Sequence, residues 1–150
     1  MRRTAVSIAL ILTLVATGAL ASPPAPGGLV MKPSPHTVEA LKQNDCWAVA
    51  AISCEWVRVT ERGTRSQSMS FRGRVLAASD QAVPSLIAIE QFVADDAILT
   101  PDGSYLVILL CDTASDGSPT WKVIQREPLD DADAGVSVMQ TERAVRAALR

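Results

Sequence analysis

Histidine is almost missing from this chain: His36 is the only one in 150 residues. A Ser-His-Asp or Cys-His machine needs an imidazole beside its nucleophile, and a multi-histidine metal site needs several. His36 lies beside a proline-rich stretch at the start of an expected helix, where a solvated role suffices. Neither chemistry is expected, nor is any cofactor. Basic side chains are also short, 14 against 16 acidic ones. Nucleic-acid affinity depends largely on Lys and Arg displacing counterions, so a nucleic-acid partner is not expected either. Cysteine stops at three, which in an exported chain suggests one disulfide and one leftover thiol.

Long apolar runs are confined to the N-terminus. Met1-Arg2-Arg3 is a positive n-region, residues 5–19 are apolar, and Ala19-Leu20-Ala21 is a small-x-small cleavage signature. That is the layout of a secretory signal peptide over residues 1–21. The run falls short of the ~20 residues that span a bilayer, so no stable membrane anchor is expected after cleavage. Arg2-Arg3 lacks the flanks of a twin-arginine signal, and no cysteine follows the cleavage site to accept a lipid. The expected location is secreted or periplasmic. Cleavage leaves 129 residues with 12 basic and 16 acidic side chains, a net charge of −4. One domain with one real core fits that length.

What is present reads mainly as strand. Residues 22–35 are a Pro-rich linker, and Ser34-Pro35 looks like an N-cap followed by Pro at the first helical position. The helix it starts runs to about Gln43 and puts Val38 and Leu41 on one face. A long strand over residues 46–62 alternates Ile52, Cys54, Trp56 against Ser53 and Glu55, then slips by one so that Val57 and Val59 are apolar. A slip of that kind is what a β-bulge produces. The second strand, 66–77, turns Met69, Phe71, Gly73 and Val75 inward and Ser68, Ser70, Arg72 and Arg74 outward. A third strand follows over 86–93, then one helical turn over 94–99.

Residues 105–111, Tyr-Leu-Val-Ile-Leu-Leu-Cys, are unbroken apolar sequence between two turn clusters. They read as a strand buried on both faces, around which the rest is organised. A fifth strand over 120–127 points Trp121 and Val123 inward, and Pro128 stops it. After the acidic loop 130–135, Ser137 and Gln140 have the spacing of a capping box. The final helix carries Val138, Val145 and Leu149 on one side and Arg143, Arg146 and Arg150 near its end.

Three strands, a linking turn, two strands and a terminal helix is the order of an OB-fold barrel. Thr37-Val38-Glu39-Ala40-Leu41 running into Asp45-Cys46-Trp47-Ala48-Val49-Ala50-Ala51-Ile52 resembles the opening of secreted netrin-like domains, the OB-fold group that includes tissue inhibitors of metalloproteinases. Gly103-Ser104-Tyr105-Leu106-Val107-Ile108-Leu109 is similar to the fourth strand of that group. The resemblance implies a mainly β fold: a small closed five-stranded OB-like barrel over residues 36–150, with a short N-terminal and a C-terminal helix. In the metalloproteinase inhibitors a cysteine at the mature terminus chelates the protease zinc. Here that terminus is Ser22 and Cys46 lies well inside, which argues against inhibition by the same means.

Cys46 and Cys54 on one extended strand lie roughly 26 Å apart, beyond the ~7 Å that a disulfide tolerates between Cα atoms. In an OB barrel the first and fourth strands are antiparallel neighbours, which implies Cys46–Cys111, with Cys54–Cys111 as the alternative. Such a bridge stabilises by about 4 kcal/mol in the loop-entropy account. Arg58, Arg62, Arg65, Arg72 and Arg74 crowd the first hairpin, with Glu61 as an opposing charge. They read as a solvated face that guards the hairpin, or as a strip that binds carboxylate, sulfate or phosphate bidentately. Asp131, Asp133 and Gly135 have the wrong spacing for a calcium loop, and Asp95-Asp96 point apart, unlike a glycosidase pair. Trp47, Trp56 and Trp121 are expected to fill the barrel. The expected function is an exported non-catalytic binding module for an anionic glycan or an acidic protein. The alternative is an inhibitor of an exported hydrolase acting through loops such as residues 112–119.

Overall fold

The structure, a computed structural model, describes residues 27–61, 67–93, 99–130 and 133–150. The signal-peptide region 1–21, the start of the linker, Arg62, Arg65 and Asp131 lie outside the described residues. So do Asp95, Asp96 and most of the helical turn expected at 94–99, of which Leu99 is described and buried.

Five strands follow the first helix: α1 (Pro35–Lys42), β1 (Trp47–Glu61), β2 (Gln67–Ala78), β3 (Leu86–Val93), β4 (Ser104–Thr113), β5 (Pro119–Pro128) and α2 (Ala134–Ala148). Every neighbouring pair is antiparallel, and the order across the sheet is β3-β2-β1-β4-β5. Strand β1 therefore pairs with both β2 and β4. The helix start at Ser34-Pro35 is as the sequence predicts, because the Ser34 hydroxyl accepts the Thr37 N–H at 3.1 Å.

The centre of β4 is buried on both faces because two cores meet there. Tyr105, Val107 and Leu109 join Ile52, Phe71, Trp121 and others inside the curled sheet. Leu106 and Ile108 face the other way, onto Val49, Ala51, Met31 and the helix residues Leu41, Val138 and Val145. An alternating strand with one wet face cannot satisfy both, which is why residues 105–109 are uniformly apolar.

The bulge in β1 is real. Cys54 pairs with Gly73 and Trp56 with Arg72, which leaves Glu55 as the extra residue. A second irregularity skips Leu76 on β2, between the Ala51–Ala77 and Ile52–Val75 pairs. Gly73 belongs where β2 presses on β1: a Cβ there would sit 3.2 Å from the Ser53 carbonyl oxygen. Ser68, expected to point outward, is buried.

The mainly β sheet is as expected, but the closed barrel is not shown. The backbone ladder stops at β3 and β5, so the sheet is open and these strands are its two edges. The two edges lie beside each other, and a side chain bridges them. Buried Gln91 of β3 donates from Nε2 to the Val123 carbonyl and accepts the Val123 N–H at Oε1, both at 2.9 Å. The side-chain amide thus satisfies both polar groups of one β5 residue, as a ladder partner would.

Three local expectations change. Trp56 is 49% exposed, because the extra residue ahead of it moves it off the inner face. Helix α2 begins four residues earlier than the capping-box reading, with Asp133 at the N-cap. Ser137 is therefore inside the helix and fully buried. Residues 27–34 are docked rather than hanging free: Met31 is fully buried and its N–H donates to Thr141 Oγ1 at 3.0 Å. Gln125 of β5 fixes the same segment, accepting from the Ser34 N–H and Thr37 Oγ1 and donating to the Lys32 carbonyl.

Candidate functional site

The bulge at Glu55 builds the site. In an unbroken strand Trp56 would follow Ile52 and Cys54 onto the inner face. One inserted residue turns it outward, opposite Arg72 of β2, which in turn faces Ala88 of β3. The next row along the same face is Arg58, Ser70 and Glu90. Between these rows lies an open groove of about 640 Å³, bordered by Trp56, Ser70, Arg72, Ala88 and Glu90, with Phe71 and Ile89 beneath. That size is within the range of small-ligand sites.

Of the five arginines singled out by sequence, Arg58, Arg72 and Arg74 are described, and all three are exposed on this hairpin. Glu55 draws two of them together. Arg72 donates from Nε and Nη2 to its Oε2, each at 3.3 Å, and Arg74 Nη2 reaches Oε1 at 3.2 Å. Contacts this exposed contribute a few tenths of a kcal/mol at most and serve to orient the guanidinium groups. The sequence reading named Glu61 as the opposing charge and missed Glu55. Adjacent residues on a regular strand point apart, and only the bulge sets Glu55 beside its neighbour's partners.

Two smaller hollows lie elsewhere. One of about 300 Å³ sits at the seam, between Leu86–Glu90 on β3 and Pro119–Trp121 on β5. The other, about 280 Å³, is lined by Trp47, Arg146, Leu149 and Arg150. There the Arg146 guanidinium lies 5.2 Å from the Trp47 ring and is also paired to Glu142 at 2.7 Å. The three tryptophans thus divide: Trp121 is core, Trp47 is half-covered by α2, and Trp56 faces solvent.

All three cysteines are free thiols in the structure, and no two of them lie at disulfide distance, so the expected Cys46–Cys111 bridge is not seen. Cys54 is buried inside the sheet. Burial pushes its thiol up to about 11, against a smaller downward pull from Arg126. Cys46 immediately precedes β1, and its carbonyl accepts the Cys111 N–H of β4 at 3.0 Å. The Cys111 thiol is also raised to about 11, first by desolvation, then by its hydrogen bond with the Cys46 side chain. His36 is exposed on α1, and among the described residues no three His, Cys, Asp or Glu side chains gather as a metal site. Among the described residues no helix is long and apolar enough to cross a membrane.

No family model, curated protein or solved structure matches this chain.

Proposed function

We propose that this is an exported, non-catalytic binding module whose ligand-binding face is the outer surface of the β1–β2–β3 hairpins. The observation that carries this reading is the groove at Trp56. A large apolar ring lies exposed there beside oriented guanidinium groups, in a concavity of about 640 Å³. Exposed aromatic surface in a concave setting marks binding sites far more often than exposed apolar residues scattered singly. Arg58, Arg72 and Arg74 favour an anionic partner, a glycan or an acidic protein, because guanidinium pairs bidentately with carboxylate and sulfate. Export rests on the signal peptide, residues 1–21, and places the module in the periplasm or outside the cell.

The scaffold in this proposal is an OB-like barrel of the netrin-like kind. The strand order β3-β2-β1-β4-β5 is what such a barrel shows when its β3–β5 seam is opened, and Gln91 holds that seam in place of a ladder. The test of function is retention of the full chain on a heparin-like resin. Arg72→Glu with Arg74→Glu is expected to abolish retention, while Arg143→Glu with Arg146→Glu on α2 leaves it unchanged. Retention indifferent to the first pair of changes contradicts the proposal.

A second reading, inhibition of an exported hydrolase, is favoured by the β4–β5 turn. Its tip is exposed and cross-braced: Ala114 N–H bonds Ser118 O, and Ser118 Oγ bonds Asp116 Oδ1 at 2.5 Å. Gly117 supplies the left-handed residue that this turn requires, at φ +83°. A pre-organised loop of this kind suits insertion into a cleft. Inhibition of a protease or glycosidase panel that is lost on replacing residues 114–118 would establish it.

A further inference from the structure

The geometry points to an acidic saccharide, one carrying about one carboxylate or sulfate per ring, as the ligand of the Trp56 groove. This inference rests on the binding-face reading above and narrows it.

The first argument is shape. Trp56, Arg72 and Ala88 stand in one row across three strands, a span of roughly 10 Å at the usual strand spacing. The row of Arg58, Ser70 and Glu90 lies two residues further along, about 7 Å away. At the end opposite the indole the side chain is only a methyl group, so a flat ring is not obstructed there. An indole presents a negative face, and the C–H groups on one side of a pyranose ring carry partial positive charge. The patch is therefore the size and polarity of a site for one or two stacked sugar rings.

The second argument is the mixture of donors and acceptors. Arg72 spends two N–H groups on Glu55 and a guanidinium has five, so donors remain for a ligand. Glu90 and Ser70 border the same groove. A ring bearing hydroxyl groups needs both donors and acceptors around its apolar face. The side chains of an acidic peptide carry only carboxylate acceptors, without the hydroxyl donors that could serve Glu90 beside an apolar ring face.

The third argument is the charge balance. Among the described residues of this face, Arg58, Arg72 and Arg74 exceed Glu55 and Glu90 by one, which matches a singly charged sugar unit rather than a polyanionic surface.

The experiment is calorimetric titration of the full chain with a trigalacturonate, with the matching neutral trigalactoside, and with an oligoglutamate peptide. The uronate is expected to bind at least tenfold more tightly than either of the others. Trp56→Ala is expected to weaken it tenfold or more, Trp56→Phe to retain most of the affinity, and Trp47→Ala to change nothing. Circular dichroism of each variant shows that the fold is kept. Unchanged uronate binding in Trp56→Ala overturns the inference, as does oligoglutamate binding equally well. If no uronate binds while resin retention still depends on Arg72 and Arg74, the saccharide inference fails and the anionic-partner reading stands. If that retention is also absent, both fail.

Discussion

At the scale of single residues, the three cysteines separate by environment. The Cys54 thiol has an ordinary value of 9.0 and is raised to about 11 by burial. The unfolded chain therefore loses this proton first as pH rises. The stabilisation is intact below about pH 9 and is lost between 9 and 11. Two pKa units set an upper limit of about 3 kcal/mol. In a Cys46→Ser, Cys111→Ser background, urea unfolding is expected to show this decline, and Cys54→Ala to flatten it. An equally steep decline without Cys54 would assign the effect to other groups. Gln91 is the other decisive residue. Gln91→Leu strands the Val123 N–H and carbonyl in the interior, at about 1–3 kcal/mol for each unsatisfied group. A loss of about 2–6 kcal/mol is expected by denaturant unfolding, together with faster hydrogen exchange at the Val123 amide.

At the scale of elements, the bulge in β1 separates what the sequence shows from what it hides. The slip of apolar phase between Trp56 and Val57 is visible in the letters, and the bulge follows from it. Which residue is extra is not visible, because alternation alone assigns Trp56 to either side of the slip. The ladder makes Glu55 the extra residue, and with it Trp56 becomes exposed and Arg72 gains a partner. Deleting Glu55 is expected to turn Trp56 inward against a filled core and to abolish cooperative folding. Glu55→Ala should cost only a few tenths of a kcal/mol. A deletion variant that unfolds at the wild-type midpoint would contradict this account of the strand.

Strands β1 and β4 also set the predicted crosslink. A hydrogen-bonded cross-strand pair has Cα atoms about 5.5 Å apart, inside the window for a disulfide. The structure shows one half of such a pair, the Cys111 N–H on the Cys46 carbonyl at 3.0 Å, and leaves both thiols free. Oxidation takes one hydrogen from each thiol, and the two electrons and two protons pass to an added disulfide such as oxidised glutathione. Peptide mapping of the protein after such oxidation, without reductant, is expected to join Cys46 to Cys111 and leave Cys54 for alkylation after unfolding. Recovery of Cys54 joined to Cys111 would refute it. Helix α2 was less legible. Ser137 and Gln140 imitate a capping box, but docking of residues 27–31 against α2 buries Ser137, a tertiary contact that no local pattern reveals.

At the scale of the whole molecule, all five strands and both helices were readable from periodicity and turn residues, and most boundaries fall within a residue or two. The doubly buried fourth strand was the clearest feature, because two cores demand an unbroken apolar run. The open β3–β5 seam was not readable, since the closed barrel implied by the resemblance is not seen in the backbone ladder. Gln91 is a polar residue at an inward position of β3, and its value lies in reaching Val123, 32 residues away. The arginine cluster was legible as a charge pattern, whereas the groove beside it depends on the bulge and on the β3 register.

The face formed by β1, β2 and β3 is the central claim, and amide chemical-shift mapping of the full chain during titration with an acidic oligosaccharide tests it most directly. Shifts concentrated at Trp56, Arg58, Ser70, Arg72, Ala88 and Glu90 are predicted, with α2 and the β4–β5 turn unmoved. Shifts centred instead on residues 114–118 or on Trp47 and Arg146 would contradict the account.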